Sequence, residues 1–364
     1  MSSYVHSGTI IQNGSIEIDN SMNDDSIMKV LPADDRFHLP LPVIGNFEWW
    51  YFDLIDSEKN ILMKIVLHVG TNPLRTRIYP QIAISISTPE YTENFTKSYS
   101  FSEIRGDSKF CFLKIGEEVE IKSTPDSISE YFVKVNLNEF SAELRFESVI
   151  EGWKPLGDKI RYIKSGRNAD FMWIIPVPKA KITGTCTYKN KEYNISGAIG
   201  YHDHNYYSVD KKKPLYLDSS VKKWYWGKCY CGDYTLIFMD TWFKSLRIKS
   251  LLVSKGNKII HSSNNLVESG IEKTGFDLSL KAEYPSSLNI RLNQPSLELE
   301  VRIDSVKILD KKDLLEGVPL MFNWMIKKII SRPVYFGLFA HVQLEINGNK
   351  LAGFGNYEYM FFRE

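Results

Sequence analysis

The residues best suited to chemistry stand together at Tyr201-His202-Asp203-His204-Asn205, directly after the strand-like run Tyr193–Gly200. If the strand continues, alternation sends Tyr201, Asp203 and Asn205 to one face and His202 and His204 to the other. The first face offers a phenol, a carboxyl and an amide side by side. Facing a dry cavity, the Asp203 carboxyl would rise in pKa and become a general acid. The same residues could instead form a hydrogen-bonded belt closing the end of a barrel. On the second face, two imidazoles at i, i+2 could chelate zinc with a third ligand such as Glu48 or His68. Two histidines alone are weak evidence, and no metal is expected.

Glu48-Trp49-Trp50-Tyr51-Phe52 is the second cluster. Alternation groups Glu48 with Trp50 and Phe52, and Trp49 with Tyr51. A carboxylate among bulky aromatics must find a cationic partner or a task. Glu48 therefore joins Asp203 and Tyr201 as a catalytic candidate. Trp224 and Trp226 share a strand face, and Phe171 and Trp173 do the same just before Pro176 and Pro178. Indole faces hold apolar ligands and stabilise carbocations. The substrate-binding candidates are Trp50, Phe52, Phe171, Trp173, Asn205, Trp224 and Trp226. There is no Gly-rich phosphate loop, no G-x-S-x-G and no H-E-x-x-H, so no cofactor is expected and triad hydrolysis is disfavoured.

The elements that must carry these residues are strands. Aromatic residues make up 13% of the chain, which favours sheets and apolar pockets. Phe47–Ile55 and Ile61–Val69 flank the turn Ser57–Asn60, a hairpin pattern. Lys179–Tyr188 and Tyr193–Tyr201 flank a second turn at 189–192. Short strands recur to the C-terminus, ending in Leu338–Ile346 and Lys350–Phe361. One amphipathic helix is expected over Pro319–Ile330, packed on a barrel wall or touching a membrane surface weakly through 319–332. With 364 residues, two domains are expected. These are 36–207 and 224–364, after a flexible arm at 1–35 and joined by the lysine-rich linker 208–223. A weak repeat offset by 156 residues, Gly197 to Gly353 and Tyr201 to Tyr357, suggests two related barrels in tandem.

A formal net charge of +1, with no basic block, gives no reason to expect nucleic acid. The spacing of Cys229 and Cys231 is neither a zinc knuckle nor a redox pair, so free thiols are expected. The N-terminus has no signal-peptide pattern and no run is long enough for a membrane-spanning helix, so a cytoplasmic protein is expected. Oligomeric state leaves no mark in the sequence.

Glu48–Phe52, Trp173–Pro178, Gly200–Asn205 and Trp224–Gly227, in that order, resemble the carotenoid 1,2-hydratase (hydroxyneurosporene synthase) superfamily. That group includes AttH-like proteins and lipocalin-like decalin-forming Diels–Alderases. The resemblance runs from about Phe47 to the terminal Gly355–Glu358. It implies a mainly β fold of two tandem lipocalin-like barrels or sandwiches, with one or two short helices and an apolar pocket between or within the lobes. It also implies that Asp203 is a proton donor to an isoprenoid double bond, with Tyr201 beside it. The hydratase branch carries a histidine two residues before the tryptophan of the Pro-containing strand. Phe171 stands there, which favours cyclisation or isomerisation of a polyene, polyketide or terpenoid over hydration. The cyclase branch works by holding a linear polyene in a reactive conformer. The alternatives are a hydratase and a non-catalytic lipid or carotenoid carrier.

Overall fold

The computed structural model describes residues 15–18, 29–71, 77–155, 157, 159–244, 246–264, 267–313 and 332–363. They form two curled antiparallel sheets, with three short 3-10 turns and no longer helix among the described residues. The helix expected over Pro319–Ile330 lies outside them.

The first sheet takes all its strands from 15–209. Its main path runs Thr92–Ser98, Ile78–Ser87, Ile61–Thr71, Phe47–Asp56, Ile199–Val209, Arg167–Tyr188, Phe140–Ser148, Glu130–Asn136, Val119–Ser123, Phe112–Ile115 and Ile104–Gly106. The second takes its strands from 221–363. Its path runs Lys258–Asn264, Arg247–Lys255, Tyr234–Phe243, Val221–Cys231, Asn349–Arg363, Arg332–Ile346, Leu297–Asp313, Ala282–Gln294 and Glu268–Asp277. The two orders match. In each, a four-strand meander comes first, and the last strand of the lobe returns beside the first. Tyr201 and Tyr357, the repeat positions, both lie on those returning strands. The repeated topology explains their shared spacing.

Period-2 burial produces one core per sheet. In Ile61–Thr71 the side chains of Ile61, Met63, Ile65, Leu67 and Val69 are buried and those between are half-buried. Leu297, Leu299, Val301 and Ile303 do the same in the second lobe. A third apolar cluster lies between the sheets. It joins Tyr51, Trp173 and Tyr201 of the first to Ile237, Met239 and Leu252 of the second.

Several expectations change. Arg167–Tyr188 is one 22-residue strand; Pro176 and Pro178 sit at register shifts, where no ladder donor is required. The second hairpin closes on Lys191–Asn194 alone. Gly197, at φ +91°, then turns the chain so that Ile199–Val209 pairs elsewhere. Within the segment expected as an arm, Val30 and Asp35 are 2% and 0% exposed, so its end belongs to the core. Within the segment expected as a linker, Leu215 is buried and its carbonyl accepts from the Tyr207 hydroxyl at 2.7 Å.

Candidate functional site

The site begins with strand register. Ile199–Val209 sets Tyr201 opposite Asp53 and Asp203 opposite Tyr51 on the neighbouring strand Phe47–Asp56. These four side chains leave the sheet on the side facing the second lobe. There, Val221–Cys231 and Asn349–Arg363 pair Trp226 with Glu358 and Lys228 with Asn356. Packing the two sheets brings the sets together.

Asp203 is 1% exposed. Its Oδ2 accepts from the Tyr201 hydroxyl at 2.8 Å and its Oδ1 from the Asn205 amide at 3.0 Å. Burial pushes its carboxyl up to about 7; hydrogen bonds from Tyr201 and Trp173 and the nearby Lys228 charge only partly oppose that. A substantial share of this acid is therefore neutral at neutral pH. Trp226 stacks on Tyr201 with ring centroids 5.4 Å apart and meets Tyr51 edge-on at 5.3 Å.

Lys228 is fully buried. Its Nζ donates to Asp53 Oδ2 at 2.5 Å and lies over the Tyr201 ring at 3.9 Å, with Trp226 at 5.0 Å and Tyr51 at 5.3 Å. Three aromatic faces around one ammonium form a cage that suits positive charge. Asp53 Oδ2 also accepts from Tyr51 at 2.9 Å and Asn356 at 2.8 Å. A proton donor, a fixed cation and electron-rich rings thus converge on the seam. Together they can protonate an apolar substrate and stabilise charge that develops on it.

The opposite face of the same strands carries a separate cluster. Asp35 Oδ2 accepts from Tyr131 at 2.7 Å and lies 3.1 Å from His202 Nε2. His204 Nε2 is 2.9 Å from Glu48 Oε1, and its Nδ1 is 2.9 Å from Asp35 Oδ1. Glu48 also accepts from the His38 and Leu39 backbone at 2.8 and 2.9 Å. Burial disfavours an imidazolium at His204, but the two carboxylates outweigh it and lift its pKa to about 9. Burial opposes ionisation of Asp35 and Glu48 too, yet their histidine partners hold both below the usual carboxylate range. Phe52 stacks on His202 and Trp50 on His204. His38, Glu48 and His204 are close enough to share a metal, as are Asp35, Cys111 and His202. Their hydrogen bonds and opposed charges already satisfy most of these atoms, and a charge-neutralised internal clamp accounts for them. His68 stands apart, with burial alone lowering it to about 4.

The structure thus gathers Asp203, Tyr201, Asn205, Trp173 and Trp226 at the seam. Phe171 and Trp224 border the same inter-lobe cluster, half-buried. It does not bring Glu48, Trp50 or Phe52 there, because they point into the first lobe. Sequence reasoning missed Asp53, Lys228 and Asn356. Lys228 shares the Trp224 and Trp226 alternation, and that was the one signal that could have found it.

No family model matches the chain. A quinolone epoxide rearrangement protein, asqO of Emericella nidulans, is 24% identical over 314 residues, covering 79% of this chain and 82% of that protein. Among solved structures, an AttH protein (NE1406) of Nitrosomonas europaea superposes with TM-score 0.59 at 14% identity, over 90% of this chain and 95% of that one. Kievitone hydratase of Nectria haematococca gives TM-score 0.59 at 13% identity, over 93% and 94%. CghA with Sch210972 gives 0.58 at 12%, over 96% and 99%. The chain shares the mainly β, lipocalin-like fold of these three solved structures.

Proposed function

We infer that the protein is an enzyme of secondary or isoprenoid metabolism that isomerises, rearranges or cyclises an apolar small molecule held between its lobes, using Asp203 as the acid and no cofactor. The observation that carries this reading is the Asp203 carboxyl, buried among Tyr201, Trp173 and Trp226 and raised to about 7. Support comes from asqO, named for a rearrangement, and from kievitone hydratase and CghA, which share the fold.

The step balances without a further reactant. Asp203 delivers its proton to an alkene carbon or an epoxide oxygen, leaving a carboxylate and a carbocation. The Asp203 carboxylate left behind stabilises that cation as its counter-ion, while the Tyr201 and Trp226 rings hold the Lys228 ammonium. A neighbouring C–H bond then breaks, its electrons form the new double bond, and the proton returns to Asp203. Attack by an internal double bond before that loss gives a ring. Attack by water instead gives a hydrate, the runner-up activity.

The test offers the protein an aryl epoxide, a linear polyene and an isoprenoid alkene in ¹⁸O-labelled water, with products read by mass spectrometry. The proposed activity gives an isomer of unchanged mass, and Asp203→Asn abolishes it. Label in the product identifies hydration. Tight binding of all three with no product identifies a carrier.

A further inference from the structure

A cleft opens on the seam at Tyr51, the register partner of Asp203 on the neighbouring strand, without Asp203 itself lining it. Tyr51, Asp53, Lys64, Tyr335, Asn356 and Glu358 form its polar wall, and Ile55, Leu62 and Leu309 its apolar one. The hydrogen bonds of the polar wall are unevenly used. Lys64 Nζ donates to Asp310 at 3.0 Å and to the Tyr335 hydroxyl at 2.8 Å. The Tyr335 hydroxyl in turn donates to Glu358 at 2.5 Å. Lys228, Tyr51 and the Asn356 amide nitrogen all donate to Asp53 Oδ2. The acceptors are a different matter. Asp53 Oδ1 and Asn356 Oδ1 are both buried, and neither has a protein partner among the described residues. Asp53 is 4% exposed, so its free oxygen cannot simply turn to bulk solvent. Rotating the Asn356 amide does not remove the asymmetry, because its oxygen would then face the Asp53 carboxylate. A buried acceptor without a donor is unfavourable, and a ligand that supplies one gains accordingly.

We propose that the substrate is a flat apolar molecule with a neutral N–H or O–H donor, a cyclic amide or phenol, and that Asp53 Oδ1 and Asn356 Oδ1 receive that donor while the seam aromatics cover its body. Anchored this way, the reacting part of the molecule is directed from the cleft toward Asp203. The two acceptors then act as specificity residues and take no part in proton transfer. The proposal rests on the seam being the substrate site. It is read by binding alone, so it stands or falls independently of whether Asp203 is the acid.

The probe pair is 2-quinolone and N-methyl-2-quinolone, which differ only in the donor. Binding to the full chain is followed by quenching of tryptophan fluorescence and checked by calorimetry. The expected result is that 2-quinolone binds at least tenfold more tightly than its methylated form. Asp53→Asn and Asn356→Leu, each confirmed folded by circular dichroism, should bring the two within about threefold. Equal binding of the pair to the unaltered protein overturns the proposal, as does binding of neither. Discrimination that persists in both variants overturns the assignment to these two acceptors. If a variant fails to fold, the comparison on the unaltered protein still decides.

Discussion

Replacing Asp203 by Asn should make the stability difference between the two proteins depend on pH in one defined window. Burial raises the Asp203 carboxyl from 3.8 to about 7. Between those values the folded chain holds a proton that the unfolded chain has released. Stability therefore falls as pH rises across that window and levels off above about 7. Three units at 1.36 kcal/mol each amount to roughly 4 kcal/mol. For a chain of this length that corresponds to a shift of roughly 5 °C in Tm. The Asn variant lacks this titration. Most other groups titrate alike in both proteins and largely cancel in the difference. Thermal unfolding of the two would be followed by tryptophan fluorescence from pH 4 to 8.5. Wild type should lose about 5 °C relative to the variant between pH 4 and 7, with no further change above. A difference that stays flat across the range would show that Asp203 ionises as an ordinary carboxylate, which removes the basis for a neutral acid.

Other expectations follow from the same contacts. Lys228→Met leaves the Asp53 carboxylate buried without its cation and should cost about 3–5 kcal/mol in chemical denaturation. It should also move the alkaline limb of activity to higher pH, since the Lys228 charge lowers the Asp203 pKa. His204, raised from 6.5 to about 9, contributes stability that is fully present below pH 6.5 and lost as pH rises through 9. His204→Gln should therefore cost about 3 kcal/mol more at pH 6 than at pH 9.5, measured by urea unfolding at both. Cys111, Cys186, Cys229 and Cys231 are all buried and their thiols raised by that burial. A thiol reagent at pH 8 should label none of them in the folded protein and all four in denaturant.

How far the site could be read from sequence depended on distance along the chain. Period 2 placed Tyr201, Asp203 and Asn205 on one face and His202 and His204 on the other, and the structure agrees. It also grouped Glu48 with Trp50 and Phe52. What it could not supply was the register between strands about 150 residues apart, which decides which face meets which. Glu48 lies opposite Tyr206 and Val69, so it points toward His204 and away from Asp203. Asp35 was hidden at the end of the stretch expected as an arm, and His38 lay just beyond it with no strand pattern to place it. Lys228 was missed for another reason: it shares the face of Trp224 and Trp226, but a lysine on a strand normally reads as solvated. Only the packing of the second lobe brings it to Asp53. The strand content was legible throughout. The length of Arg167–Tyr188 was not, because two prolines suggested a stop where the chain makes bulges.

The most direct test of the central claim is the pH dependence of turnover for wild type and Asp203→Asn on a substrate that yields an isomer. With Asp203 as the acid, wild-type kcat falls along a single limb centred near pH 7 as the carboxyl ionises, and the variant loses at least 10²-fold at pH 6. A variant within twofold of wild type, with the limb unchanged, would show that the buried carboxyl takes no part in the reaction.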